Sequence, residues 1–218
     1  MHFTKLSKSQ YLHQVNMLFV NSVSDETIKN AVCNFGYTEK RMAEGKRMFE
    51  DLDAIENEHT LKNDEKTSLY RKKKLKQNEV NRSYMKYLKI ARIAFGDNIE
   101  AREALMLDGS RERTYKKWVF QVSVFCNNLL DNAEYWPELE RYGVNKDHIK
   151  KLKSELLDLM ELSDKGAKVT GLVKMLTQKK KKQTLKVQSW ISDYIKIARI
   201  ALEDAPDNLQ KLGINVKS

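Results

Sequence analysis

A nine-residue stretch written twice constrains this chain more than any other feature. Tyr87-Leu88-Lys89-Ile90-Ala91-Arg92-Ile93-Ala94-Phe95 returns as Tyr194-Ile195-Lys196-Ile197-Ala198-Arg199-Ile200-Ala201-Leu202, 194 − 87 = 107 residues later in a chain of 218. Self-similarity at a fixed period sets what a folding unit is, so it comes before any motif. The same ungapped offset brings Gly36 onto Gly143, Asp51-Leu52 onto Asp158-Leu159, Lys72-Lys73-Lys74 onto Lys179-Lys180-Lys181, Val80 onto Val187 and Leu105 onto Leu212. One register that aligns turn residues, charge runs and apolar positions together reads as an internal duplication. The duplication predicts two tandem, similar helical bundles, residues 1–109 and 110–218, joined at Asp108-Gly109-Ser110.

Composition narrows the fold class. Two prolines and eight glycines are few for 218 residues. Leu, Lys, Ala, Glu and Met recur at helical spacing without alternation, which predicts an all-α protein of antiparallel up-and-down helices. No apolar run approaches the ~20 residues of a membrane span. Met1 to Gln10 contains no apolar segment of the kind a secretory signal needs, so a cytoplasmic location is expected. Cys33 and Cys126 do not correspond under the offset and read as two buried free thiols.

Within each half the order of elements is legible. Tyr11, Leu12, Val15, Leu18 and Phe19 lie on one face of a first helix over about Ser7–Ser22. Ser24-Asp25, a good N-cap pair, opens a second that carries Ile28, Val32 and Phe35 inward and ends at Gly36, a position suited to a left-handed helix end. Thr38 caps a third. A polar stretch, Asn57 to Asn63, predicts a turn back into a fourth helix that runs through the nonapeptide. The second half repeats this with Gly143 as its corner, Asn145 as a cap and Ser163-Asp164-Lys165-Gly166 as its turn; Pro137 disturbs its second helix. In each hairpin the arginine, Arg92 or Arg199, is expected beside the corner of its own half, Gly36 or Gly143, donating to free carbonyls there.

The chain is basic, with a formal net charge of +10, and the excess is local. Arg71, Lys72, Lys73, Lys74 and Lys76 form one run and Lys179, Lys180, Lys181 and Lys182 the other. Such runs can track phosphates, sequence-blind and salt-sensitive. The same hairpins offer acids across from them: Glu50, Asp51, Asp53, Glu56 and Glu58 in the first, Glu155, Asp158, Glu161 and Asp164 in the second. Complementary arms that fix helix pairing are the preferred reading. Positions facing the core near the turns (Lys66, Lys73 and Lys76; Lys180 and Gln183) imply thin packing there.

Few residues suggest chemistry. Glu56-Asn57-Glu58-His59 has the E-x-x-H spacing of di-iron bundles, but the second half carries Ser163 and Gly166 at the matching places. His2, His13 and His148 have no partner at ligand spacing. Phosphate-loop, dinucleotide, nucleophile-elbow and C-x-x-C motifs are absent from the sequence. No catalytic, cofactor or metal residue is therefore assigned.

Two IARIA helices, an aromatic-glycine corner before each, and the ending Leu209-Gln210-Lys211-Leu212-Gly213-Ile214 resemble an uncharacterised family of bacterial all-helical proteins. That resemblance spans nearly the whole chain and carries no functional residue over. The first half departs from it at Met106, where the second has Gly213. The expectation is a non-enzymatic scaffold or interaction module whose partner is a protein or a second copy. A nucleic-acid-associated protein stands second and a metal-dependent bundle enzyme third.

Overall fold

Two helices of 56 residues each organise the computed structural model, which describes residues 7–214 apart from the side chains of Lys8 and Ser9. In chain order the elements are α1 (Lys8–Ser24), α2 (Glu26–Cys33), α3 (Glu39–Ala94), α4 (Ile99–Ala104) and α5 (Tyr115–Asp131). A 3-10 turn (Ala133–Tyr135), α6 (Trp136–Glu140), α7 (Lys146–Ala201) and α8 (Asp207–Lys211) follow. No strand occurs among the described residues, so the all-α expectation holds. Helix bounds correspond at the offset: 115 − 8 and 131 − 24 are both 107, as are 146 − 39 and 201 − 94.

The two expected hairpin turns do not form. Asn57–Asn63 and Ser163–Gly166 lie inside α3 and α7. Neither stretch contains proline. Breaking a helix there would strand about four C=O groups before the break and four N–H groups after it, whereas running through keeps them bonded. Polar side chains that suggested the first turn bond within the helix instead: Thr60 Oγ1 donates to Glu56 O (3.0 Å) and Asn57 Nδ2 to Asp53 Oδ2 (3.3 Å); past the second stretch, Thr170 Oγ1 donates back to Gly166 O (2.7 Å).

The division into compact units accordingly differs from 1–109 and 110–218. Unit 1 comprises residues 1–61 and 173–218; unit 2 comprises 62–172. Each unit draws on both halves of the sequence. In unit 1, α3 pairs antiparallel with α7: His59 Nε2 meets Thr177 Oγ1 at 3.1 Å and Gln183 Nε2 donates to Met48 O at 2.8 Å. In unit 2 the pairing is Lys73 with Ser163 (2.8 Å) and Tyr70 with Thr170 (3.5 Å).

Unit 1 buries Val15, Leu18 and Phe19 of α1 with Ile28 and Val32 of α2 against Ile191, Tyr194, Ala198 and Leu202 of α7. Unit 2 buries Trp118, Val122, Phe125 and Leu129 of α5 against Val80, Tyr84, Leu88 and Ala91 of α3. The deepest stripe through the nonapeptide is Leu88, Ala91 and Phe95. Tyr87, Ile90 and Ala94 flank it and are partly buried. Phe35, expected to face inward, is exposed, because α2 ends at Cys33 and its inner face does not extend that far. Between 57 and 79 no residue of α3 is fully buried. Amide exchange should therefore be faster over 57–79 than over 84–95; equal protection across both would contradict this distribution of packing.

Caps behave as the sequence implies. Ser7 forms a capping box with Gln10. Asp25 Oδ1 accepts from Thr27 and Ile28 N–H, and its Oδ2 accepts from Lys211 Nζ at 2.7 Å. The Lys211 bond, then the Ile28 N–H, holds this carboxyl below the usual range. Pro137 sits in the first turn of α6, where its missing N–H costs nothing.

Four helix ends share one corner geometry. Gly36, Gly143 and Gly213 have φ of 83°, 73° and 67°, and Met106 has φ of 51°. At each, the next residue's N–H reaches five residues back: Tyr37 to Val32 O, Val144 to Leu139 O, Ile214 to Leu209 O and Leu107 to Arg102 O. The departure at Met106 thus leaves the motif intact and places a side chain where glycine is preferred. Left-handed backbone costs a non-glycine residue ~1–2 kcal/mol, while glycine costs ~0.5–1 kcal/mol in unfolded-chain entropy. Met106→Gly is expected to stabilise unit 2 by roughly 0.5–1 kcal/mol, read as a higher urea midpoint at unchanged slope.

Candidate interaction surface

The arginines expected at the glycine corners are elsewhere. Arg92 is in unit 2 and Gly36 in unit 1; Arg199 is in unit 1 and Gly143 in unit 2. Arg92 Nε donates to Leu107 O (2.7 Å) and its Nη2 to Gly109 O (3.2 Å), while Arg199 is exposed. The idea that such an arginine serves a helix end is right for Arg92, but the end is the Met106 corner. The proposed pairing assumed a hairpin turn, and without that turn each nonapeptide lies in the other compact unit from its own half's corner.

That corner has a second guanidinium, on Arg111, just past the Asp108-Gly109-Ser110 link. Arg111 Nη1 donates to Tyr84 Oη (2.8 Å) and Met106 O (2.9 Å), and its Nη2 to Asp108 O (2.7 Å). Tyr84 is fully buried, and burial raises its hydroxyl pKa. Only the arginine's position after a Gly-Ser pair could have flagged it.

Each lysine run has an inward and an outward side. Lys73 Nζ lies 3.9 Å from the centre of the Tyr115 ring besides bonding Ser163. Lys76 meets Asp158 at 3.6 Å and Lys180 meets Glu56 at 3.6 Å. Acid and base therefore do face each other, but the acid of one half meets the base of the other. Arg71, Lys72, Lys74, Lys179, Lys181 and Lys182 are exposed. Glu56 and His59 both engage α7, and no group of three or more metal-capable side chains converges among the described residues. No helix of the described residues is long and apolar enough to cross a membrane. His2 lies outside the described residues.

A groove of about 870 Å³ lies in unit 1, between α1, α2 and the start of α3. Its floor includes Phe19, Val32, Tyr37 and Met42, all buried core residues. Val20 and Val23 at its lip are 50% and 52% exposed. Lys29, Lys40 and Lys46 stand around it with Glu39. Lys29 Nζ and Glu39 form an ion pair at 2.5 Å, which raises the lysine's pKa and lowers the glutamate's. Both groups are open to water, so salt and competing ions screen the pair.

Cys33 also lines the groove and is exposed, which corrects the expectation that both thiols are buried. Within the eight residues of α2 only Ile28 and Val32 are buried, and Cys33, one residue on, turns away by a hundred-degree step. Cys126 is buried, and desolvation pushes its thiol pKa up to about 12. Iodoacetamide at pH 8 should label Cys33 in the folded protein and Cys126 only after unfolding, resolved by peptide mass.

No family model matches the chain, and neither the curated proteins nor the solved structures contain a match.

Proposed function

We propose that this chain is a non-enzymatic helical interaction module that docks a partner protein in the groove of unit 1. The observation that carries this reading is the half-exposed apolar lip, Val20 and Val23, above a buried apolar floor. A concave, mostly apolar site with a few charged groups at its rim is the usual form of a recognition site, and an amphipathic helix laid into such a groove is a recurring mode of docking. A photocrosslinker carried on Cys33 should join the full chain to a discrete partner in native cell extract, and Val23→Gln should remove that product. Equal crosslinking by both proteins would end the reading.

The chain's architecture supports a copied ancestral unit. Asn21 Nδ2 donates to Lys211 O (2.6 Å) and Asn128 Nδ2 to Ala104 O (2.6 Å), so 128 − 21 and 211 − 104 are both 107. Under this proposal the two copies exchanged their long-helix halves when they were fused, and the protein acts in the cytoplasm.

A second reading, nucleic-acid association, is favoured by the six exposed basic side chains of the two runs. Retention on DNA or RNA at ~50 mM salt that falls steeply as salt rises would support it; absence of retention at that salt removes it.

A further inference from the structure

Resting on the groove reading above, we infer that the docked partner presents a tryptophan flanked by acidic residues, and that its ring enters the groove beside Lys29. The second half of the chain supplies the pattern. Residues 133–140 stand at the offset from α2, Glu26–Cys33, and 136 − 29 = 107, so Trp136 takes the place of Lys29. The floors match, since Val32 and Met42 correspond to Leu139 and Ile149 and all four are buried. The mouths differ. In unit 2 Trp136 is itself buried, 9% exposed, and Leu130, the counterpart of Val23, packs against the core. In unit 1 the corresponding residue is a lysine tied to Glu39 at the rim, and Val23 is left 52% exposed. Unit 2 buries an indole at this place in the repeat, and unit 1 has none there.

Charge selects the flanks of the incoming segment. Lys29, Lys40 and Lys46 line the groove with one acid, Glu39, while Glu26 stands near Lys29 from outside the lining, and Lys29 and Lys46 are held by surface carboxylates, Glu39 and Glu50 (3.8 Å). An acidic segment can replace such screened pairs with its own carboxylates while its ring is buried. The chain's own stretch Glu134-Tyr135-Trp136-Pro137-Glu138-Leu139-Glu140 has this composition, an aromatic pair among three glutamates. A second copy of the chain is a poor occupant, because its Trp136 is already buried and like net charges of +10 repel.

The test uses the full chain and a fluorescein-labelled peptide with the sequence of residues 132–142, followed by anisotropy at low salt. Saturable binding is expected, weakened at least about tenfold when the peptide's tryptophan is alanine, as for a buried aromatic anchor. Changing its glutamates to lysine should abolish binding. On the protein side, Lys29→Trp should fill the groove and weaken binding at least about tenfold. Val23→Gln, at an exposed position that tolerates a polar side chain, should weaken it as well. Binding that ignores both protein variants, or that persists without the tryptophan, overturns the inference. A peptide that does not bind, while the Cys33 crosslink to a native partner forms and is lost in Val23→Gln, sinks the tryptophan-and-acid chemistry and leaves the groove reading standing. Loss of both sinks both.

Discussion

Gly45→Leu is expected to destabilise unit 1 by about 3 kcal/mol, the upper end of what overpacking a close-packed site costs. A Cβ at Gly45 would lie 2.4 Å from Trp190 Cζ2, well inside contact distance. The indole cannot swing away cheaply: it stacks on Tyr194 with ring centres 5.6 Å apart and also meets Phe19 (5.2 Å) and Tyr37 (5.5 Å). Against this, leaving glycine gains only ~1 kcal/mol of helix propensity, so the clash wins. The other half suggests the remedy. The residues at the offset from Gly45 and Trp190 are Leu152 and Ser83 (152 − 45 and 190 − 83 are both 107), so large and small are reversed. Gly45→Leu combined with Trp190→Ser should therefore recover at least half of the loss, measured as urea midpoints at constant slope. The helical glycines Gly166 and Gly171 serve as controls. A Cβ there meets nothing within 4 Å, and alanine at either should stabilise by about 1 kcal/mol. If Gly45→Leu is neutral, Trp190 does not pack over that glycine.

Arg111→Ala should cost unit 2 about 3 kcal/mol, because it removes charged donors from several acceptors at once. The buried Tyr84 hydroxyl and the carbonyls of Met106 and Asp108 all lose a guanidinium donor. Arg92 remains, but it serves Leu107 and Gly109 and does not reach Tyr84. Tyr84→Phe removes one of these bonds along with its acceptor and should cost only about 1 kcal/mol. Arg111→Lys keeps the charge without the fork, and should behave closer to alanine than to arginine. A lysine variant as stable as the parent would show that charge alone, and no bidentate geometry, holds the corner.

These two sites show the limits of reading along the chain. Trp190 reads as one more core aromatic, and Gly45 as an apolar-face residue of no special note. Their dependence on one another exists only because α3 and α7 lie antiparallel in unit 1. Arg111 reads as linker because nothing local reveals that Tyr84 and the Met106 corner meet beside it. The groove was illegible for the same reason. Phe19 and Val32 of its floor were placed on the inner faces of their helices, but the uncovered mouth follows from what is missing above Val23, a lysine where the other half has Trp136.

The amino-acid sequence alone determined the helical class, the caps at Ser7, Asp25, Thr38 and Asn145, the glycine corners, and the apolar face of most helices. All of these depend on contacts within a few residues. Tertiary structure alone decided which long helix pairs with which. Two similar halves present similar apolar stripes and similar acidic and basic stretches, so each helix could be satisfied by its own half or by the other. The choice fell to the backbone at 57–63 and 163–166. Without a proline to break it, an unbroken helix keeps its hydrogen bonds, and a 56-residue helix must then find its partner in the opposite half.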